Sequence, residues 1–271
     1  MTISPYRTAP LIATIGFGAM ARSLARSLRG SASGLRIAGC LLPPDSFSQI
    51  EPDMLRWKKV DELVAACPDL VVECATHAAV RDILPQVLEA GIDVIIISAG
   101  ALGDENTTAR LEEAAQRGGA RARIAPGAIG GLDVLRAARI AGLDRVVYTG
   151  RKPPAAWKGS LAEHLVVLNS LEGPTVIYEG SAAEAARDYP KNTNVSAAVS
   201  LAGVGFARTT VRLIADPGIT ENIHEIDAEG AFGRFTTRIA NHALPDNPRT
   251  SWLAALSVEQ EILRHFSNLE L

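Results

Sequence analysis

The sequence predicts an α/β protein: an N-terminal Rossmann domain with a mainly parallel sheet, followed by an α+β domain with an antiparallel or mixed sheet. Three observations carry this prediction. A Gly-x-Gly-x-x-Ala loop, Gly16-Phe17-Gly18-Ala19-Met20-Ala21, sits between a short apolar run and a helical pattern. Apolar runs of strand length then alternate with helical stretches as far as Ala125. Beyond a glycine-rich junction at 126–131 that order stops, and strands with alternating polar and apolar residues take over. Strands interleaved with helices build a parallel sheet covered on both faces, whereas alternating strands bury one face only.

In chain order, residues 10–15 form the first strand and 19–28 the first helix. Residues 35–42 form the second strand, stopped by Pro43 and Pro44 because proline cannot continue a ladder. A short helix at 61–66, a strand at 69–75, a helix at 78–90, a strand at 93–98, a helix at 106–118 and a strand at 122–125 complete the first series. After the junction come a helix at 132–139 and strands at 145–150, 195–201, 209–215, 223–230 and 234–240. A last helix starts near Trp252. The domains are expected at 1–125 and 126–250, with 251–271 a C-terminal helix that returns to the nucleotide-binding domain.

At 271 residues the chain can bury two cores, and 47% hydrophobic with 21% charged residues is the composition of a folded globular protein. A formal charge of -3 supplies no broad attraction for nucleic acid or an anionic membrane, so neither is an expected partner. The apolar run at 9–16 is too short to span a bilayer and leads straight into the glycine loop, which argues against a signal peptide, while three cysteines that cannot all pair within the chain fit a reducing cytoplasm. Cys40, Cys67 and Cys74 are odd in number and lack metal-ligand spacing, as do His164, His242 and His265. No metal is expected.

The glycine loop has a direct chemical reading. Gly16 permits the tight turn, Gly18 lets backbone approach a pyrophosphate, and Ala21 lets the helix pack closely on the sheet. Backbone donors at the helix start, with Phe17, Ala19 and Met20 among the loop residues, then meet the phosphate charge. Thr76 and Ala99 follow predicted strands and belong to the same cofactor edge. The cofactor is therefore NAD or NADP. An Asp or Glu at the end of the second strand would receive the adenosine ribose of NAD, but Gly39-Cys40-Leu41-Leu42 ends without one. Asp45 is set off by the two prolines, and Arg22 and Arg56 are the cations that could approach a 2'-phosphate. A relaxed coenzyme preference follows.

Several later blocks narrow the reading: 126–133 (Pro-Gly-Ala-Ile-Gly-Gly-Leu-Asp), 192–197 (Asn-Thr-Asn-Val-Ser-Ala), 215–217 (Ala-Asp-Pro) with 222–226 (Asn-Ile-His-Glu-Ile), and 247–251 (Asn-Pro-Arg-Thr-Ser). Together with the glycine loop, these blocks make a sequence that resembles the L-aspartate dehydrogenase family. The resemblance implies oxidation of L-aspartate with NAD or NADP to iminoaspartate, which feeds nicotinamide-cofactor synthesis or hydrolyses to oxaloacetate and ammonia. It also implies a homodimer, a catalytic His224, and cofactor contacts at Ala128 and Asn194.

Residue chemistry is compatible with each role and leaves a structural alternative to each. His224 can exchange a proton near neutral pH, yet it shares a strand side with Ile226 and Ala228, where a hydrogen-bonded core histidine would also sit. Asn194 can orient a nicotinamide carboxamide or cap a turn, and Ala128 can offer backbone or simply allow a tight junction. A dicarboxylic amino acid needs cations or donors, for which Arg151, Lys152, Lys158, Arg208, Arg249, Thr250 and Ser251 are candidates. Glu73, in an apolar strand pattern, is not assigned to catalysis. The competing functions are another two-domain NAD(P)-dependent oxidoreductase, of homoserine or dihydrodipicolinate type, and a non-catalytic nucleotide-binding regulator.

Overall fold

In the computed structural model, which describes residues 9–43, 45–46, 50–190, 192–244 and 247–269, β1 (Ile12–Ile15) is buried at every position. Pro44 and the side chain of Arg249 lie outside the described residues. A strand buried on both faces needs helices above and below it, and the chain supplies them in turn. The series continues with α1 (Ala19–Gly30), β2 (Ile37–Leu41), β3 (Leu55–Trp57), α2 (Val60–Ala65), β4 (Leu70–Glu73), α3 (His77–Asp82), α4 (Leu84–Glu89), β5 (Val94–Ile96), α5 (Glu105–Gly118) and β6 (Ala122–Ile124). The strands form a parallel sheet in the order β3-β2-β1-β4-β5-β6. Strand order reverses between β1 and β4, which is where a sheet of this kind opens a crevice at its carboxyl edge.

One compact unit runs to Ala125 and takes in the chain again from Val258; the other comprises Pro126–Ser257. The second unit contains α6 (Leu132–Ala141), β7 (Leu143–Lys152), α7 (Ala162–Leu165), β8 (Thr175–Ser181), α8 (Ala182–Asp188), α9 (Asn194–Ala202), β9 (Thr210–Ala215), β10 (Asn222–Gly230), β11 (Gly233–Asn241), β12 (Ala243–Leu244) and β13 (Asn247–Ser251). The final helix, α10 (Trp252–His265), contains the point of division, and its Val258 and Ile262 join the core of the first unit with Ile12, Leu24 and Leu70. The five-stranded sheet of the second unit is mixed, in the order β11-β10-β7-β9-β8, with β7 and β9 parallel and the other pairs antiparallel. Its buried face carries Val146, Tyr148, Leu213 and Ile226 against Leu135 and Val199 of α6 and α9. Among the described residues, no helix is long and apolar enough to cross a membrane.

Two expected elements take a different form. The stretch 195–201, expected as a strand, is helical within α9. It is apolar or small almost throughout and buried on nearly every side, so its sequence has no period to read. Ser196 and Ser200 are accommodated by donating to the carbonyls of Thr193 and Ser196, both at 2.8 Å, and alanine favours the helix. The single helix expected over 78–90 is two, α3 and α4, meeting at Ile83. Pro85 falls at the second position of α4, where its missing N–H is harmless; inside one continuous helix its ring would strike the carbonyl four residues back.

Candidate active site

At the carboxyl edge of the first sheet, Gly16 adopts φ +86°, and a Cβ there would stand 2.8 Å from the Cys74 carbonyl oxygen. Glycine is what lets the loop after β1 lie against the loop after β4. Gly18 precedes α1 in extended backbone, with open space where a side chain would project. No side chain caps α1 and its first turn has no acidic residue, so its leading backbone N–H groups suit an anion. These features fit a dinucleotide pyrophosphate. The Phe17 ring belongs to the core, leaving its backbone for any ligand, while Ala19 and Met20 are half-buried.

Glu73, the last residue of β4, is fully buried and binds the neighbouring loops together. It accepts from the backbone N–H groups of Ala75 (2.8 Å), Ile97 (3.2 Å) and Ser98 (2.8 Å), and from the Ser98 hydroxyl (2.9 Å). Burial pushes its pKa up against the opposing pull of these hydrogen bonds. Thr76 caps α3 by accepting from Ala79, and Ala99 opens a 3-10 turn after β5. Both residues therefore stand at the strand edge beside the glycine loop. At the end of β2, Arg56 of β3 is in register with Cys40, close enough for its charge to oppose the rise that burial imposes on the thiol pKa. Asp45 is exposed.

The second unit builds a different chemistry. Along β7, Tyr148, Gly150 and Lys152 point to one face of the sheet, and His224 of β10 lies directly opposite Gly150 in the antiparallel register. The Tyr148 hydroxyl and His224 Nδ1 are 2.7 Å apart. A Cβ on Gly150 would stand 2.9 Å from that hydroxyl oxygen, so the bare backbone gives Tyr148 the room to reach across. On the other edge of the ring, Nε2 is 3.4 Å from the Ser251 hydroxyl of β13.

His224 is only 2% exposed, and burial, followed by the charge of Lys152, lowers its pKa to about 3. It is a neutral imidazole at physiological pH. Burial also raises the Tyr148 pKa, keeping a protonated phenol at Nδ1. A phenol both donates and accepts, so it serves Nδ1 in either tautomer and leaves Nε2 to exchange protons. Lys152 is 6% exposed, lies with its ammonium 5.6 Å from the centre of the Trp157 ring, and has its pKa lowered by burial to about 8.

Ala128 and Asn194 lie on neighbouring segments of this same unit. A Cβ on Gly127 would meet the Val195 side chain at 3.3 Å, which puts the 126–131 junction against the start of α9, where Asn194 is the first residue. The Asn241 side-chain amide donates to the carbonyls of Ala128 (3.2 Å) and Asn222 (3.3 Å), tying the junction to β10 two residues from His224. Among the basic candidates for the substrate, Arg151 points to the opposite face and pairs with Asp216 at 3.0 Å. Arg208 donates to the Leu143 carbonyl, Lys158 is exposed, and Thr250 accepts from Asn247. Lys152 and Ser251 are the candidates brought to His224. Tyr148 was not among the expected residues. Its signal was the glycine two positions on, inside a strand, which marks close approach by another group.

Among the described residues, no group of three or more histidine, cysteine or acidic side chains is placed to hold a metal ion. The family model for the aspartate dehydrogenase C-terminal region matches residues 133–265, and that for the homoserine dehydrogenase NAD-binding domain matches residues 16–125. The L-aspartate dehydrogenase of Polaromonas sp. is 46% identical over 257 residues, covering 93% of this chain and 96% of that protein. The L-aspartate dehydrogenase of Pseudomonas aeruginosa is 43% identical over 259 residues, covering 94% and 97%. Among solved structures, aspartate dehydrogenase from Thermotoga maritima superposes with a TM-score of 0.75 at 27% identity, over 97% of this chain and 99% of that one. An archaeal homoserine dehydrogenase, with a TM-score of 0.61 at 13% identity over 97% of this chain and 100% of that one, shares the fold. The chain belongs to the L-aspartate dehydrogenase family of NAD(P)-dependent oxidoreductases.

Proposed function

We propose that the enzyme oxidises L-aspartate to iminoaspartate, which feeds nicotinamide-cofactor synthesis or hydrolyses to oxaloacetate and ammonia, with His224 as its catalytic residue. The observation that carries this is the buried neutral imidazole held at Nδ1 by Tyr148, with Nε2 left for proton exchange. Oxidation of an amino acid requires an unprotonated amine, because its lone pair becomes the second bond of the C=N group. When bound, the nicotinamide supplies the acceptor for the hydride that leaves the substrate Cα. His224 Nε2 takes the amine proton, or activates the water that hydrolyses the imine, and Tyr148 stabilises the ring through that change.

Gly16, Phe17, Gly18, Ala19, Met20, Thr76 and Ala99 are the proposed contacts of the dinucleotide, joined by Ala128 and Asn194. The absence of an acid at the end of β2 and the position of Arg56 support use of both NAD and NADP. Purified protein mixed with L-aspartate and either coenzyme should generate reduced coenzyme, followed by absorbance. D-aspartate, L-glutamate, L-malate and L-homoserine serve as comparisons. A folded protein that binds dinucleotide but shows no aspartate-dependent reduction with either coenzyme overturns the reading, and preference for L-homoserine would move it to the related activity.

A further inference from the structure

We propose that Lys152 is the cation that receives a carboxylate of the substrate beside His224. The inference rests on the dicarboxylic amino-acid reading above and assigns one residue to hold that substrate. Lys152 and Tyr148 flank Gly150 on one side of β7, and Gly150 faces His224, so the ammonium and the imidazole belong to the same buried face.

The pairing of the other cations on this sheet singles Lys152 out. Among the described residues, Arg145 and Arg234 pair with Asp227, Arg151 with Asp216, Arg212 with Glu179 and Arg238 with Glu225. Those five basic side chains each have a carboxylate within the chain. Lys152 is more buried than any of them, yet among the described residues no carboxylate, carbonyl or hydroxyl accepts from its ammonium. Its one contact of note is the ring of Trp157, itself held by an N–H donated to the Ile214 carbonyl at 3.2 Å. An aromatic face steadies an ammonium without neutralising it, and leaves its donors for an anion.

An anion at this place also acts on the proton chemistry. The charge of Lys152 is one of the two causes that hold His224 neutral. A carboxylate against the ammonium offsets that charge and makes the imidazole a better proton acceptor once the substrate is seated. Binding and base strength are coupled through one side chain.

The test uses the purified full chain with Lys152→Met, Lys152→Arg and the parent. Succinate, a dicarboxylate that lacks the amine and is not oxidised, is titrated by calorimetry; NADH binding and L-aspartate kinetics are measured on the same preparations. The expected result is a loss of succinate affinity and a rise in KM for L-aspartate, each of roughly ten- to hundredfold in Lys152→Met. Arginine should recover part of both, with NADH affinity within a factor of about two of the parent throughout. Succinate affinity and KM in Lys152→Met within threefold of the parent overturn the proposal, as does failure of the parent to bind succinate. Failure of the aspartate reading is separate: the parent would bind succinate through Lys152 but reduce no coenzyme with L-aspartate.

Discussion

The hydroxyl of Tyr148 meets Nδ1 of His224 at 2.7 Å because residue 150, between them on the sheet, has no side chain. Tyr148→Phe strands a buried ring nitrogen and should cost about 1–3 kcal/mol of stability. It should also lower kcat by roughly tenfold or more, with less effect on NADH binding. Gly150→Ala places a methyl 2.9 Å from the hydroxyl oxygen, crowding it away from the imidazole, and should reproduce the kinetic defect with the tyrosine intact. Denaturant unfolding and steady-state kinetics on both variants check this.

His224 should leave its mark on the pH dependence of stability. Its folded pKa of about 3 lies below the unfolded value of 6.5, so only the unfolded chain gains this proton as pH falls from 6.5. The contribution is complete above pH 6.5 and is lost progressively down to about pH 3. Between pH 7 and 5 the parent should lose about 2 kcal/mol more than His224→Gln, which has no proton to gain there. Equal losses in urea unfolding at the two pH values would contradict a neutral buried imidazole. His224→Ala should keep dinucleotide binding and lose turnover by at least about a hundredfold.

Lys152 imposes a cost that its removal should reveal. Its pKa falls from 10.5 to about 8 on folding, so below pH 8 both states are charged and the whole burial penalty is present, about 3 kcal/mol. Between pH 8 and 10.5 the folded state sheds the proton first and the penalty fades. Lys152→Met should therefore melt higher than the parent at pH 7, with the advantage shrinking towards pH 10. A lower melting temperature at pH 7 would mean that the ammonium is stabilised within the free protein.

Glu73 holds the nucleotide edge through four donors, three of them backbone. Glu73→Gln turns an NH2 group toward some of those donors and should destabilise the protein by about 2 kcal/mol; Glu73→Ala should cost more. Both should weaken NADH binding, because the loops carrying Thr76 and Ala99 lose their common anchor. Calorimetric titration with NADH, beside thermal unfolding, reads the two effects separately.

What could be read in the sequence had a local cause. The bend at Gly16 needs a positive φ, and the uncapped start of α1 follows from the residues that adjoin it. The strands of the first sheet are short apolar runs between helical patterns, and the family resemblance pointed to the His224 block. What could not be read depended on partners far along the chain. Tyr148 and His224 are separated by 76 residues, and their contact follows from how β7 and β10 are aligned. Lys152 was one of several basic candidates until Arg151 was seen with Asp216, Arg208 with the Leu143 carbonyl and Lys158 exposed. Residues 195–201 lost the usual helical signature because burial on almost all sides leaves no polar stripe.

The alignment of β7 with β10 also makes catalytic competence a test of folding fidelity. Displacing one strand by a single residue would keep most ladder hydrogen bonds, yet would send Tyr148 and Lys152 to the solvent side relative to the histidine. Such a product could be compact and rich in sheet, with an intact dinucleotide fold, and still be inert. Recovered activity after refolding therefore reports correct strand alignment in a way that secondary-structure content and coenzyme binding do not.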